Sequence, residues 1–336
     1  MTVSAALEYI KLVNRYMDEG YTDGLPVIPP YPEAVEAMVA ASGRKADEVL
    51  GHIPPRNNPL SIQTAAINAV MAGCLPEYMP VIIAAMEAML DPEFNLVSPA
   101  CTTKGVAPLV VVNGPIRRQL NINCKGGLFG PGFRANATIG RALRLILINV
   151  GGAKAQVLDK STFGHPGKYT YVIGEDEEGS PWTPFHVDYG FNPEDSTVTV
   201  IACDGPKLVT NFNSGAEGIL LQIAETAAIS GYKDDVVVIL GPEHRDTLVE
   251  AGWTKRSIQE FLYEHIGRRA GELKRINSRS VQETDPDDRF IHLVKSPEEI
   301  KVICAGGGAG RMSVVIDGFA LHKYCKWQMR KIEVPH

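Results

Sequence analysis

The sequence predicts an α/β protein, and three observations lead there. Short β-branched runs alternate with helical periodicities through the last third of the chain, strongly apolar helical patterns fill much of the first half, and glycine or Gly-Pro steps close several strand-like runs. At 336 residues the chain exceeds the usual single core, so two domains are expected. The first is a helix-rich region over residues 1–190 with a long Gly/Pro/aromatic loop, and the second, over residues 191–336, is a βαβαβ unit with a mostly parallel sheet covered by helices.

Residues 4–19 place Leu7, Ile10, Val13 and Met17 at helical spacing and end at Gly20, which predicts an amphipathic helix. Asp23-Gly24-Leu25-Pro26-Val27-Ile28-Pro29-Pro30 follows as an extended connector, because a residue before proline is pushed out of the helical region. Residues 32–41 and 46–50 read as short helical stretches. Residues 61–72 and 77–90 read as two apolar helices with Cys74 at the end of the first. Residues 107–113 form a β-branched run closed by Gly114-Pro115, a buried strand, and residues 136–150 a helix entered from a glycine loop. The interval 151–191 is irregular, with one strand at 168–173. Strands are then expected at 196–202, 236–240 and 300–305, with helices at 214–230 and 254–266.

A formal charge of −6, from 39 acidic and 33 basic residues spread along the chain, lacks the basic stripe that neutralises phosphates, so nucleic acid is not an expected partner. No uninterrupted apolar run reaches the roughly 20 residues that span a bilayer, and the first residues lack a secretory pattern. A cytoplasmic location is therefore expected. The six cysteines form no CxxC pair, which removes thioredoxin-like and zinc-ribbon spacings.

The residues suited to chemistry fall in loops. Cys101-Thr102-Thr103-Lys104 offers a thiol, two hydroxyls and an amine that lowers a thiol pKa or holds a carboxylate, and Cys124 beside Lys125 offers the same pairing. Arg134 and Asn136 stand where the Gly130-Pro131-Gly132 loop enters a helix, an anion-binding context. Gly307 and Gly308 lie in a glycine run after a strand that is expected to enter a helix, a second such context, although it is not GxGxxG. His244 follows the strand end Gly241-Pro242. His165 and His186 lie with Glu175, Glu177 and Glu178 in one loop, a donor set for zinc, nickel or iron without a recognisable ligand spacing. Each has a structural alternative: buried thiols, tight turns and hydrogen-bonded loop histidines.

Asp23 to Val27, Asn113-Gly114-Pro115-Ile116-Arg117, and the Gly130-Pro131-Gly132 loop followed by Ala135-Asn136-Ala137-Thr138-Ile139-Gly140-Arg141 together resemble a bacterial family spanning most of the chain. Its members are labelled thiol-disulfide-like or thioredoxin-like. The resemblance implies redox or C–S chemistry and a small thiol or selenol protein partner carrying cysteine or selenocysteine in a UGSC-type motif.

The leading expectation is an enzyme for a small carboxylate- or phosphate-bearing molecule, a lyase or thiol-based oxidoreductase. Cys101 or Cys124 is its nucleophile, His244 or His165 its acid/base, and Arg134, Asn136, Thr102, Thr103, Lys104, Gly307 and Gly308 bind substrate. The alternatives are a subunit completing a partner's active site and a metal-dependent hydrolase or lyase using His165 and His186. No cofactor is assigned, and a homo- or hetero-oligomer is expected.

Overall fold

The structure is a computed structural model that describes residues 3–319 and 325–335. Helices α1 (Val3–Asp18) and α2 (Pro32–Ser42) lead into a hairpin, β1 (Val49–Ile53) and β2 (Asn58–Ser61), and then into α3 (Ile62–Ala72), α4 (Met79–Met89) and α5 (Val97–Ala100). The middle of the chain holds β3 (Ala107–Asn113), α6 (Ile116–Gln119), α7 (Arg134–Asn149), β4 (Val172–Gly174), α8 (Phe185–Asp188) and β5 (Thr197–Cys203). The remainder begins with β6 (Lys207–Thr210), α9 (Ala216–Ala228), β7 (Val236–Leu240), α10 (Pro242–Glu250), α11 (Lys255–His265) and β8 (Gly267–Arg269). It continues with α12 (Ala270–Arg275), β9 (Phe290–His292), β10 (Ile300–Cys304), β11 (Met312–Asp317) and β12 (Gln328–Lys331).

Local chemistry sets these boundaries. The Ser61 hydroxyl accepts the Thr64 N–H to start α3, and Gly73, left-handed at φ 91°, ends it. Thr254 and Ser257 form a reciprocal capping box at α11. In α4 every residue except Glu87 is buried, which explains its lack of a polar face.

Two four-stranded sheets form the frame, in the orders β12-β5-β3-β4 and β10-β7-β11-β6. Each contains one parallel pair, β3 with β4 and β7 with β10, and then two antiparallel pairs. The likeness extends to sequence: β3 and β7 both end in Gly-Pro followed by a helix, at Gly114-Pro115 and Gly241-Pro242. The edge strands are exchanged. After β5 the chain crosses to supply β6 to the second sheet, and after β11 it returns to supply β12 to the first.

The sheets pack face to face. Leu109 and Val111 of β3, Ile173 of β4 and Ile201 of β5 share one apolar cluster with Val237 and Ile239 of β7, Ile303 of β10 and Ile316 of β11. The alternate residues Val110, Val112, Val198 and Val200 face the helical core containing α3, α4 and α7. On the other side Val236, Val238, Ile300 and Val302 face α9 and α11. The order of layers is helix, sheet, sheet, helix, and strands buried on both faces read as unbroken apolar runs.

The α/β class therefore holds, with mixed sheets. Where a mostly parallel second sheet is expected, two of its three pairings are antiparallel. The strand expected at 196–202 joins the first sheet instead, between β3 and β12. The glycine run at 306–310 enters strand β11, because Val314-Val315-Ile316 is β-branched. Residues 46–50 form a turn that leads into β1 instead of a helix, and the strand expected at 168–173 is confined to its end, where β4 begins at Val172 after a 3₁₀ turn, Pro166–Lys168.

Gly140 in α7 marks the closest approach of helix and sheet: a Cβ there would lie 2.3 Å from Thr170 Oγ1 and 2.8 Å from the Tyr171 nitrogen. Glycine to alanine inside a helix ordinarily stabilises by about 1 kcal/mol. At this site the steric overlap reverses the sign. Gly140→Ala is expected to lose about 1–3 kcal/mol in denaturant unfolding, and a stabilised variant would show that α7 is not seated against residues 170–171.

Candidate functional site

The site lies on the helical side of the first sheet. After α7 the chain reverses through Gly151-Gly152, where a Cβ on Gly151 would sit 2.6 Å from the Pro54 carbonyl, so only glycine fits that approach. The N–H groups of Val157, Leu158 and Asp159 all converge on the Lys154 carbonyl, which closes a compact loop. Between this loop, the end of α7 and the turn at residues 20–24 lies a cavity of about 890 Å³, and Asp23, Arg144, Lys154, Asp159, His165 and Lys168 are among its walls. That volume lies in the range of small-molecule sites.

Asp159 organises the cavity. Its side chain is 4% exposed and pairs with Arg144 Nη2 at 2.7 Å and Lys168 Nζ at 2.8 Å. It also accepts the Ser161 hydroxyl at 2.7 Å and the Ser161 N–H at 3.1 Å. Burial opposes its ionisation, but the bonds from Lys168 and Ser161 and the charges of Lys168 and Arg144 outweigh this and hold the carboxyl down at about 2. For Lys168 burial is the larger effect. Together with the neighbouring Arg144 charge it places the amine below its ordinary 10.5 despite the bond to Asp159. Lys168 Nζ also donates to Ser161 Oγ at 2.5 Å. One carboxylate thus stands between two cations. Asp23 does not correct the imbalance, because it is held in a two-point pair by Arg141 at 2.8 and 2.9 Å.

The 101–104 segment expected to carry chemistry borders this loop. The Thr162 N–H donates to the Thr103 carbonyl at 2.8 Å, and Ser161 Oγ lies 2.8 Å from the Lys104 carbonyl. Lys104 Nζ pairs with Asp204 at 2.7 Å, and the Thr102 hydroxyl accepts the Lys104 N–H. Cys101 is half-buried; burial and then the Asp159 charge raise its thiol pKa above 9.0. His165 lies edge-on to Tyr171. Its Nδ1 accepts the Gly167 N–H, so Nε2 carries the proton, and that atom is buried with no partner in hydrogen-bonding geometry. Burial lowers the His165 pKa, offset in part by the nearby Cys203 carbonyl and Asp204.

Cys124, Gly307 and Gly308 gather elsewhere, where the carboxyl ends of β4 and β10 meet. The Gly306 N–H donates to the Cys124 carbonyl, the Asp176 N–H to the Cys304 carbonyl, and a Cβ on Gly307 would come within 3.0 Å of Gly126 Cα. A Cβ on Gly308 would meet open space. Arg117 Nη1 lies 3.6 Å from Cys124 Sγ while its Nη2 grips Glu178 at 2.8 and 3.0 Å and Glu177 at 3.1 Å. Burial raises the Cys124 pKa, and Arg117 offsets only part of this.

The remaining candidates have structural partners. Asn136 is buried, its Nδ2 donating to the Asn123 and Val172 carbonyls and its Oδ1 accepting the Asn123 N–H, which pins α7 to β4. Arg134 Nε donates to the Gly73 carbonyl at the end of α3. His244 Nε2 donates to the Asn211 carbonyl at 3.1 Å, leaving Nδ1 to accept the Ser313 hydroxyl at 2.8 Å. His186 is buried in α8 with neither ring nitrogen hydrogen-bonded. Among the described residues, no group of three or more His, Cys, Asp or Glu side chains is arranged to hold a metal ion, and no helix is long and apolar enough to cross a membrane.

Arg144, Asp159, Ser161 and Lys168 were not singled out by the sequence reading. The usable signals were an arginine, Arg144, set between Leu143 and Leu145 in the largely apolar run from Ala142 to Ile148 and the dense polar step Asp159-Lys160-Ser161-Thr162 in an otherwise Gly- and aromatic-rich interval.

Two measurements check these electrostatics. A carboxyl depressed from 3.8 to about 2 stabilises the fold above its unfolded pKa, and the contribution is lost as pH falls through the folded value. The wild type should lose about 2 kcal/mol between roughly pH 4 and pH 2 beyond what Asp159→Asn loses; parallel curves would rule out the ion pairs. Secondly, Cys101 should alkylate with iodoacetamide at pH 7 at least about tenfold more slowly than a free thiol, and Cys124 only on unfolding. Rapid labelling of Cys124 in the native protein would contradict its burial.

Neither a protein-family model nor a curated protein sequence matches the chain.

Proposed function

We propose that this protein is an enzyme acting on a small carboxylate- or phosphate-bearing molecule bound in the cavity between α7, the turn at residues 20–24 and the loop at residues 154–169. The observation that carries the reading is the charge imbalance around Asp159: Arg144 and Lys168 both wall the cavity, and the single carboxylate between them neutralises one charge. The remaining positive charge, in a partly desolvated site with Lys154 also on the wall, attracts an anion more strongly than it would in water.

Of the two expected reaction classes, proton-transfer chemistry of the lyase type fits this cavity better than thiol redox. Burial raises the pKa of both Cys101 and Cys124, so their reactive thiolate forms are disfavoured. Lys168 is shifted the other way, toward the working pH range of an acid/base, and the Ser161 hydroxyl lies beside it. In this reading Lys168 holds the substrate anion and exchanges a proton with it. His165, neutral with its proton on Nε2, positions the loop that carries both groups. Cys101, close enough to Asp159 to sense its charge, is the nearest expected thiol.

Calorimetric titration with inorganic phosphate and with small dicarboxylates tests the anion site. Lys168→Met keeps the Arg144–Asp159 pair and removes the excess charge, so it should fold normally and bind these anions at least about tenfold more weakly. For an anion that stays fully ionised, wild-type affinity should fall as pH rises through a value below 10.5. Equal binding by wild type and Lys168→Met, or no binding by the wild type at millimolar anion, would overturn the reading.

A further inference from the structure

A second cavity, of about 740 Å³, lies at the amino ends of β7 and β10 against β12, and it shares no wall residue with the one at Asp159. One side of it is aromatic, formed by Tyr189, Phe191, Tyr232 and Trp327. The Trp327 ring stands 4.6 Å from that of Tyr189, edge to face, and 6.2 Å from that of the buried Phe185, so this side is fixed by ring contacts of its own. Tyr189 and Tyr232 stay 37% and 41% exposed, ring surface that the fold itself does not cover.

The rest of the wall is acidic: among the described residues it carries Glu93, Asp234, Asp235 and Glu299 against Lys295 and Lys326. Glu93 and Lys326 pair with each other at 2.7 Å, and Lys295 is exposed, where solvent screens its charge. Asp235 and Glu299 share one amine. Lys301 Nζ, from a side chain 1% exposed, lies 3.1 Å from Asp235 Oδ1 and 3.5 Å from Glu299 Oε2 while donating to the Glu298 carbonyl at 2.6 Å. Asp235 is 5% exposed, and its Oδ1 meets the amine outside hydrogen-bonding geometry, so a buried carboxylate oxygen lacks a well-directed donor. Burial raises the Asp235 pKa to about 6; Lys301 opposes this and the Glu299 charge adds to it. The Tyr189 and Tyr232 hydroxyls and the Cys325 thiol are raised too, first by burial and then by nearby carboxylates, Asp235 and Glu299 among them. Three groups around the wall thus register a negative potential.

We propose that this cavity binds a small organic ammonium ion, its charge at Asp235 and Glu299 and its carbon skeleton against the aromatic side. Two carboxylates facing one amine leave a negative charge over, and a second N–H cation between them supplies both the missing charge and the missing donor. A divalent metal ion fits less well. It takes about six oxygen ligands, and among the described residues no group of three or more His, Cys, Asp or Glu side chains is arranged to hold one. Aromatic faces attract an ammonium through the ring quadrupole, and Trp327 already does so for Lys301 Nζ, 5.2 Å from its ring centre. The volume is that of a site for a small molecule. The assignment is independent of the anion reading of the cavity at Asp159.

Calorimetric titration of the full chain at neutral pH with 2-phenylethylammonium, and with the neutral isostere 2-phenylethanol, reads the outcome. The ammonium should bind with a Kd of about 1 mM or tighter, and the alcohol at least about tenfold more weakly. Glu299→Gln and Tyr232→Ala, both at partly exposed positions, should keep the wild-type circular dichroism and each weaken ammonium binding about fivefold or more. No saturable binding below about 10 mM ammonium overturns the proposal, as does equal binding of the alcohol or an unchanged affinity in the folded Glu299→Gln variant. Displacement of the ammonium by millimolar magnesium or calcium overturns it in favour of a metal site. A Gly-Lys-Gly peptide that binds more tightly than 2-phenylethylammonium overturns it in favour of a peptide lysine.

Discussion

Leu109 and Val111 leave β3 on the side where Val237 and Ile239 leave β7, and this contact between the inner faces of the two sheets governs the rest of the molecule. A strand has only two faces, so once its odd positions are committed to the inter-sheet layer its even positions must be covered by helices. Val110 and Val112 meet the α3, α4 and α7 side, and Val236 and Val238 meet the α9 and α11 side. The exchange of β6 and β12 between the sheets ties the two halves further, because each sheet is completed by a strand that the chain delivers after building part of the other. With the middle layer filled by side chains, the cavity described above at Asp159 opens among the helices and loops outside it.

That placement explains the electrostatics. α7 must lie flat on its sheet, which the absence of a side chain at Gly140 permits and the buried Asn136 amide enforces. Arg144, one turn further along, is then carried to the edge of the helical layer, where its guanidinium reaches Asp159. Burial of Asp159 is tolerated because two cations and a hydroxyl surround it. The same arrangement leaves Lys168 competing with Arg144 for a single carboxylate, and an amine in that position holds its proton less firmly than one in water. A stable ion pair alone would need one cation, and the second is the feature on which the proposed anion site rests.

The thiols illustrate how a motif differs from a site. All six cysteines are free, and five are buried. Cys124 has the cationic neighbour that sequence spacing suggests, but it is Arg117 rather than Lys125, and Arg117 is already engaged by Glu177 and Glu178. A guanidinium spent on two carboxylates has little left with which to stabilise a thiolate, so burial decides the pKa.

By itself the sequence determined the regular elements whose signals are local. The β-branched runs Ala107–Asn113 and Val236–Leu240 are strands at the expected residues, and α3, α4, α7, α9 and α11 lie within a few residues of their periodic patterns, because burial on one or both faces writes itself into residue order. The short strands β6, β8, β9 and β12, of three or four residues, carry too few side chains to show a period. Partner choice was likewise hidden: Thr197–Cys203 pairs with β3, 84 or more residues earlier in sequence, and nothing in an apolar run specifies which edge it will meet. The same limit applied to chemistry. His165 and the 101–104 segment were visible as polar loops, but that Arg144, from a helix face otherwise buried, meets Asp159 and Lys168 across a cavity was decided only by the tertiary structure, which alone sets distances between residues that are remote along the chain.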